Sequence, residues 1–198
     1  LAADPGAPVF GAPGALGLGD WHQGVWSLRS LEALCTLDAA RFRLPLVSAA
    51  RVLARQVGDG ILLVDAPGVV RGVAGAELLE SLVEAAAVDL ILVLTREGQP
   101  VPLAPELASL NIERRLIQSA GGARRPGEAA RTRARTRLWD LYLAGGTERI
   151  LDLDALTLIG IPPRRAPEAW IGKQIAFLEA GRTRALGEVL GLEGTALR

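Results

Sequence analysis

The feature of this sequence that most constrains its fold is the alternation of short apolar runs with helical stripes. Residues 61–65, 90–94 and 116–119 are runs of strand length. Residues 45–57 and 78–86 repeat apolar side chains at helical spacing. Because a crossover between parallel strands needs a helix-sized connection, the alternation predicts an α/β fold with a mostly parallel sheet flanked by helices.

The same pattern predicts burial and loops. Residues 61–64 are four apolar residues of the type found in central strands, and residues 90–94 predict a strand that is buried on both faces. Residues 5–24 are rich in glycine and proline and predict a long shaped loop. Long ordered loops in compact domains are disproportionately functional.

A change of pattern near Arg149 predicts a second domain. Short apolar runs replace the helical stripes there, at 150–153, 156–161, 171–178 and 183–190. Ala180-Gly181 separates the last two runs as the turn of a hairpin. With 198 residues, 49% of them apolar, the chain can form one good core and a small second one. We therefore predict an α/β domain at 1–147 and a small β-rich domain at 148–198.

Composition excludes several classes of site and location. No apolar run approaches the ~20 residues that cross a bilayer, and no secretory signal is visible. We therefore expect an intracellular, cytoplasmic protein with no membrane partner. The absence of methionine suggests a fragment of a longer gene. Cys35 is the only cysteine and His22 the only histidine, so neither an internal disulfide nor a zinc site is supported.

Two aspartates each close a predicted strand. Asp4 precedes Pro5-Gly6, and Asp65 precedes Ala66-Pro67-Gly68. The carboxyl ends of parallel strands share one edge, where ligands bind, so we expect the two carboxylates to lie together. A carboxylate in this position suits magnesium binding or phosphate sensing. The alternative is that one or both aspartates only cap a turn or a helix.

A local excess of arginine is a candidate anion-binding surface. Residues 127–144 predict a helix on which Arg131 and Arg135, four residues apart, share one face. The alternative is a solvated helix face. The arginines, with Glu128 as the only acid among them, are Arg114, Arg115, Arg124, Arg125, Arg131, Arg133, Arg135 and Arg137.

Motifs for two familiar kinds of nucleotide site are missing. Lys173 is the only lysine, so the sequence contains no G-x-x-x-x-G-K-S/T loop to cradle phosphates. Residues 65–68 fit the short D-x-x-G motif of GTPases, but the N-K-x-D guanine reader is absent. Trp21 and Trp26 lie near His22; they can stack on a base or, more commonly, pack over the loop.

The order of motifs along the chain carries a family resemblance. The motifs are Asp4-Pro5-Gly6-Ala7-Pro8, Phe10-Gly11-Ala12-Pro13-Gly14, Gly17-Leu18-Gly19, Leu62-Leu63-Val64-Asp65-Ala66-Pro67-Gly68, and an arginine-rich helix that ends in Tyr142-Leu143. This series resembles the P-loop polynucleotide 5′-hydroxyl kinases, relatives of the RNA kinase of the pre-mRNA cleavage complex and of the ribosomal-RNA-processing kinases. The predicted closing hairpin is similar to the β domain of that family, so the resemblance spans nearly the whole chain.

The resemblance implies a P-loop NTPase-type fold, truncated before its phosphate loop. It implies ATP and Mg²⁺ as cofactors and phosphate transfer to the 5′-hydroxyl ends of RNA or DNA. The implied catalytic residues are Asp4, Asp65, Arg131 and Arg135, with Asp4 and Asp65 also at the metal. Asp4 matches the aspartate of D-x-G-Q, which activates the hydroxyl, and the two arginines match lid arginines. The implied substrate-binding residues are Gly6, Ala66, Pro67, Gly68, Arg124 and Arg125.

Departures from the family pattern leave alternatives open. Ala7 stands where glutamine is usual, and Ala66 and Val69 replace the typical threonine and tryptophan around the T-P-G segment. These changes favour a non-catalytic nucleotide- or RNA-binding scaffold of the same fold. A P-loop small-molecule kinase is a further alternative. Without its phosphate loop, the chain as given is expected to be a poor catalyst.

Overall fold

Parallel strand pairing organises the first part of the chain in the computed structural model, which describes residues 1–124, 126–160 and 166–198. β3 (Leu90–Thr95) pairs in parallel with β4 (Glu113–Gln118). The first residues of the chain form a second parallel pairing through the bridge between Ala2 and Asp65. Together with the flanking helices, these pairings confirm the predicted α/β class.

Helices occupy the segments that connect these strands. α1 (Arg43–Ala54) and α2 (Gly72–Ala85) correspond to the two apolar stripes predicted to be helical. A short helix, α3 (Ala104–Ser109), forms part of the crossover between β3 and β4. α4 (Glu128–Leu143) is the predicted arginine-rich helix.

The main core lies between α1, α2 and the strands. Leu46 and Leu53 of α1 are fully buried, and they belong to the same apolar cluster as Leu78 and Leu82 of α2. Leu16 completes this cluster from the sheet side and is also fully buried. The helical spacing of these leucines puts one face of each helix into the core, which is why the stripes could be recognised in the sequence.

A β-hairpin replaces most of the predicted long loop. β1 (Ala15–His22) pairs antiparallel with β2 (Val25–Ala33), so the loop prediction is wrong from residue 15 onward. Glycine usually weakens a strand, but here it makes room for an aromatic ring. A Cβ on Gly19 would lie only 2.7 Å from Cε2 of Phe10. The glycine pattern that predicted a loop therefore serves close packing inside a strand.

The predicted burial of two strands is also wrong. Leu92 and Leu94 are 45% and 69% exposed, whereas Val93 between them is buried. Ile61 and Leu63 are likewise exposed, while the residues that alternate with them pack against the core. Because side chains alternate along extended backbone, both segments bury one face and expose the other. The strand predicted at 61–65 is reduced to extended backbone with a single bridge at Asp65.

Packing divides the chain into two compact units, Leu1–Trp139 and Asp140–Arg198. The predicted domain boundary after residue 147 stays a prediction. The second unit has its own core, in which Leu153, Trp170 and Val189 are almost fully buried.

Two small sheets make up the second unit. β6 (Gln174–Glu179) and β7 (Arg182–Glu188) form the predicted hairpin, with Ala180 and Gly181 at its turn. Both turn residues have positive φ, 49° and 74°, as a two-residue hairpin turn requires. The other sheet has the order β5–β9–β8, with bounds Leu151–Asp152, Ala196–Leu197 and Leu192–Glu193. The apolar run predicted at 156–161 forms no strand over 156–160, and Ile161 lies outside the described residues.

Candidate functional site

Asp4 and Asp65 follow two neighbouring parallel segments. The backbone N–H of Asp65 donates to the carbonyl of Leu1 at 2.9 Å, and the N–H of Ala3 donates to the carbonyl of Asp65 at 3.0 Å. Asp4 comes directly after Ala3, so both aspartates lie at the same edge of this pairing. The structure therefore brings the two predicted carboxylates together.

The pKa of the Asp65 carboxyl is affected by its proximity to Asp4. Although Asp65 is exposed by surface area, partial desolvation raises the pKa of its carboxyl above the ordinary value of 3.8, and the negative charge of Asp4 raises it further. The N-terminal ammonium group lowers this pKa and is the weakest of the three influences. Since a second negative charge disfavours ionisation of Asp65, the pair is a place where a proton or a cation is stabilised.

A tight turn orients the Asp4 carboxylate. Its Oδ1 accepts a hydrogen bond from the backbone N–H of Gly6 at 2.8 Å. The turn is also tied to the rest of the loop, because the N–H of Gly14 donates to the carbonyl of Pro5 at 3.0 Å. Gly6 has no room for a side chain, since a Cβ there would lie 2.9 Å from the carbonyl oxygen of Leu37. One oxygen of Asp4 is thus held in place by the turn, and no described residue donates a hydrogen bond to the other.

Arg135 connects α4 to this turn. Its Nη1 donates to the carbonyl of Gly6 at 3.3 Å, and its Nη2 donates to Oγ1 of Thr132 at 3.0 Å. Arg131 shares a helix face with Arg135, but its Nη1 donates to the carbonyl of Pro126 at 2.7 Å. The structure therefore places Arg135, but not the guanidinium of Arg131, at the turn that holds Asp4.

The segment after Asp65 is a short turn that leads towards α2. The N–H of Val69 donates to the carbonyl of Pro67 at 2.8 Å. Pro67 is buried, whereas Ala66 and Gly68 are exposed on either side of it. Ala66 and Gly68 are therefore accessible beside Asp65, and their substrate-binding role stays a prediction.

Three of the remaining predicted arginines lie away from α4, on β4 and in the connection that precedes the helix, and the anion-binding surface stays a prediction. Arg114 and Arg115 lie on β4, where Arg114 bonds the Leu107 carbonyl and Arg115 is ion-paired with Glu113 at 2.8 Å. Arg124 is exposed in the connection that precedes α4. Arg125, the other predicted substrate-binding arginine, lies outside the described residues.

The donor set at the two aspartates fits magnesium better than an ion that needs an all-protein cage. No cluster of three or more His, Cys, Asp or Glu side chains suited to a metal occurs in the described part of the chain. Mg²⁺ is usually bound by one or two carboxylates, together with waters and substrate phosphates. The mutual repulsion of Asp4 and Asp65 is also relieved by a divalent cation, so these two residues are the ones that would hold it.

Two features of this region escaped the sequence analysis. The contact between Arg135 and Gly6 joins residues far apart in sequence, and no local pattern signals it. The hairpin did leave a signal: Gln23-Gly24, between the two tryptophans, is a two-residue turn with φ values of 49° and 86°. Gln23-Gly24 resembles the Asn-Gly and Asp-Gly pairs of two-residue hairpin turns only in its glycine, so the signal is weak.

Comparisons with known proteins agree with this architecture. The sequence model of the family described as mRNA cleavage and polyadenylation factor CLP1 P-loop matches residues 44–145, more than half of the chain. No curated protein matches the chain by sequence. Of the described helices, none has the length and apolar character needed to cross a membrane, and the cytoplasmic location stays a prediction.

A solved structure supports the same assignment at the level of the fold. It is described as the extended interface between Pcf11p and Clp1p and the structural basis for ATP loss in a point mutant, and it matches with a TM-score of 0.64 at 14% identity. The match covers 98% of this chain and 61% of that chain, so this chain spans less than two thirds of the length of its structural relative. The chain thus belongs to the CLP1 P-loop family, which confirms both the resemblance to the P-loop polynucleotide 5′-hydroxyl kinases and the P-loop NTPase-type fold.

Proposed function

We propose that the protein is a polynucleotide 5′-hydroxyl kinase that transfers the γ-phosphate of ATP to the 5′ end of RNA or DNA. The observation that carries the proposal is the grouping of Asp4, Asp65 and Arg135 at one edge of a parallel pairing. Phosphoryl transfer depends on positioning and charge neutralisation more than on covalent chemistry by the protein. Two carboxylates and a guanidinium at one edge supply the groups for both.

Each residue has a distinct role in this proposal. Asp4, with one oxygen fixed by the N–H of Gly6, accepts a hydrogen bond from the attacking 5′-hydroxyl through its other oxygen. Asp4 and Asp65 are the residues that would hold Mg²⁺, and the ion would supply positive charge to neutralise the phosphates. Arg135 stabilises negative charge that develops on the phosphoryl group. The exposed backbone of residues 66–68 holds the substrate strand.

The proposal assigns a weaker role to Arg131 and Arg124. The Arg131 guanidinium is committed to the Pro126 carbonyl and has to leave it to reach a phosphate. Arg124, which is exposed, attracts the nucleic-acid strand by its charge. Arg125 remains a sequence prediction for the same role.

A direct test is transfer of labelled γ-phosphate from ATP to an oligonucleotide with a 5′-hydroxyl end. Because the sequence contains no phosphate-cradling lysine loop, the protein assayed carries such a loop ahead of residue 1, and the 198-residue chain alone serves as the comparison. Transfer by the longer protein, reduced by about 10²–10⁴ in Asp4→Asn, supports the proposal. Absence of transfer to both RNA and DNA contradicts it.

A matched control separates the chemistry from surface charge. Asp59 is an exposed aspartate in the same unit, so Asp59→Asn removes one negative charge without touching the site. Its transfer rate should equal that of the unsubstituted protein. Equal losses in Asp59→Asn and Asp4→Asn would reduce the role of Asp4 to bulk electrostatics.

A second candidate is a non-catalytic scaffold that binds nucleotide or RNA. It is favoured by Ala7, Ala66 and Val69, which replace typical residues of the family, and by the structural relative, which is described in an interface with Pcf11p. Such a scaffold binds ATP and a protein partner of that kind without transfer.

Competition between oligonucleotides and small hydroxyl compounds for transferred phosphate separates the kinase proposal from a small-molecule kinase.

A further inference from the structure

Three aromatic rings form a contiguous cluster, here called the stack, at the hairpin of β1 and β2, in which Phe10 and Trp26 are stacked and Trp21 is tilted against Trp26. The ring centroids of Phe10 and Trp26 are 5.0 Å apart, with an interplanar angle of 22°. Those of Trp21 and Trp26 are 4.9 Å apart, with an angle of 56°. Trp21 and Trp26 are directly opposite each other in the strand register, so their side chains project from the same face.

The stack is rigid at its base and open at its outer end. Phe10 is 8% exposed and fits against two glycines, since a Cβ on Gly17 or Gly19 would lie 3.3 Å or 2.7 Å from Cε2 of its ring. Trp21, at the other end, is 58% exposed. A large aromatic ring fixed from behind and open in front is a stacking platform that loses little conformational entropy when it binds.

The stack is close to the two aspartates along the chain. Phe10 follows Gly6 by four residues, which limits the distance between their Cα atoms to about 14 Å. The loop between them is fixed, because the N–H of Gly14 donates to the carbonyl of Pro5. The Phe10 end of the stack is therefore near the Asp4 turn, and Trp21 lies two ring contacts further out, of 5.0 Å and 4.9 Å.

We propose that Trp21 stacks on a nucleobase of the single-stranded polynucleotide, downstream of its 5′ end. The inference rests on the proposed function for the identity of the strand, and it adds a base-binding site outside the phosphoryl-transfer residues. Base–aromatic stacking tolerates any sequence because every base has a π-face. The platform therefore confers affinity for strands of some length rather than for one particular base.

The ion pair of Arg29 and Asp20 lies on the face of the hairpin opposite the aromatic rings, because Asp20 alternates with Trp21 along β1. Arg29 is 47% exposed, and its ion pair with Asp20 is long, at 4.0 Å. Its Nη2 also donates to the carbonyl of Gln56 at 3.0 Å, which keeps the guanidinium near the strands.

The test measures binding of a dye-labelled single-stranded oligonucleotide to the 198-residue chain by fluorescence anisotropy of the dye, a signal that does not depend on Trp21. Trp21→Ala should weaken binding by about 5- to 150-fold, the range that stacking on one base provides. Trp21→Phe keeps an aromatic face and should retain most of the affinity. Leu44→Ala, which removes an apolar side chain that is 82% exposed on α1, is the matched control and should leave binding unchanged.

Several outcomes overturn the inference. Equal affinities for Trp21→Ala and the unsubstituted chain, with thermal unfolding unchanged, exclude the platform as a base-binding site. Absence of oligonucleotide binding by the unsubstituted chain excludes it as well. Loss of affinity in both Trp21→Ala and Trp21→Phe, without loss of folding, also contradicts stacking as the cause.

The transfer assay separates this inference from the proposed function. Trp21→Ala in the longer protein should raise KM for a 5′-hydroxyl oligonucleotide and leave KM for a nucleoside 3′-phosphate unchanged. Transfer with unchanged KM for both substrates overturns the stacking site and leaves the kinase proposal intact. Trp21-dependent binding without any transfer overturns the kinase proposal and leaves the stacking site intact.

Discussion

Arg135 and Gly6, 129 residues apart in sequence, are joined by a hydrogen bond of 3.3 Å from the guanidinium to the backbone carbonyl. The bond links the arginine-rich helix α4 to the turn that orients Asp4. It distinguishes Arg135 from Arg131, which is on the same helix face but bonds elsewhere. A cation held beside a carboxylate pair is the arrangement on which the proposed chemistry depends.

We expect Arg135→Ala to lower the rate of phosphate transfer by a factor on the order of 10³, as removal of a charge-stabilising arginine does in other phosphoryl-transfer proteins. Arg133→Ala is the matched control, because Arg133 lies on the exposed side of α4. Single-turnover transfer measures the effect. Similar rates for the two variants would assign α4 to the solvated-face alternative.

Replacing Asp65 by asparagine should stabilise the fold at neutral pH. The raised pKa of Asp65 means that the folded state binds its proton more tightly than the unfolded state does. The unfolding free energy contributed by this group is therefore present at low pH and is lost as pH rises from 3.8 through the higher folded pKa. Urea unfolding at several pH values should show that Asp65→Asn loses this decline. An unchanged decline would mean that Asp65 is not the group responsible.

Removing the charge of Asp4 should lower the pKa of the Asp65 carboxyl, because Asp4 contributes to raising it. Asp4→Asn keeps an oxygen to accept the N–H of Gly6, whereas Asp4→Ala also loses that hydrogen bond. Carboxyl NMR titration of Asp65 should shift in the same direction in both variants, and Asp4→Ala should be less stable by about 1 kcal/mol. A titration curve of Asp65 that is unaffected by either change would place the two carboxylates too far apart to share a cation.

Adding a single methyl group at Gly19 should destabilise the hairpin. In Gly19→Ala the new Cβ would lie 2.8 Å from the carbonyl oxygen of Ser27 and 2.7 Å from the Phe10 ring, and neither can move without disturbing the strands. Overpacking of this kind typically lowers the unfolding free energy by 1–3 kcal/mol. Gly58→Ala, with open space around its Cβ, is the control. Chemical denaturation of both variants gives the comparison, and equal stabilities would contradict the close packing.

The prediction of helices succeeded where one face of the segment is buried. The leucines of α1 and α2 repeat at helical spacing because they fill one core, and this spacing can be read without knowing the partner. Predicted burial failed for Leu92 and Leu94, since an apolar run does not reveal whether anything covers its second face. The hairpin was missed because glycines and prolines are typical of loops. In this hairpin, however, Gly17 and Gly19 are strand residues that make room for the ring of Phe10.

By itself, the sequence determined the α/β class, the family resemblance and the position of an aspartate at the end of each of two parallel segments, because periodicity and chain order are local properties. The tertiary structure alone decided which arginine reaches the Asp4 turn, and that Phe10, Trp26 and Trp21 stack above two strand glycines. These relationships join residues that are distant in the chain or lie on different strands. They arise from the register of the strands and the packing of a helix, and local side-chain patterns do not encode either.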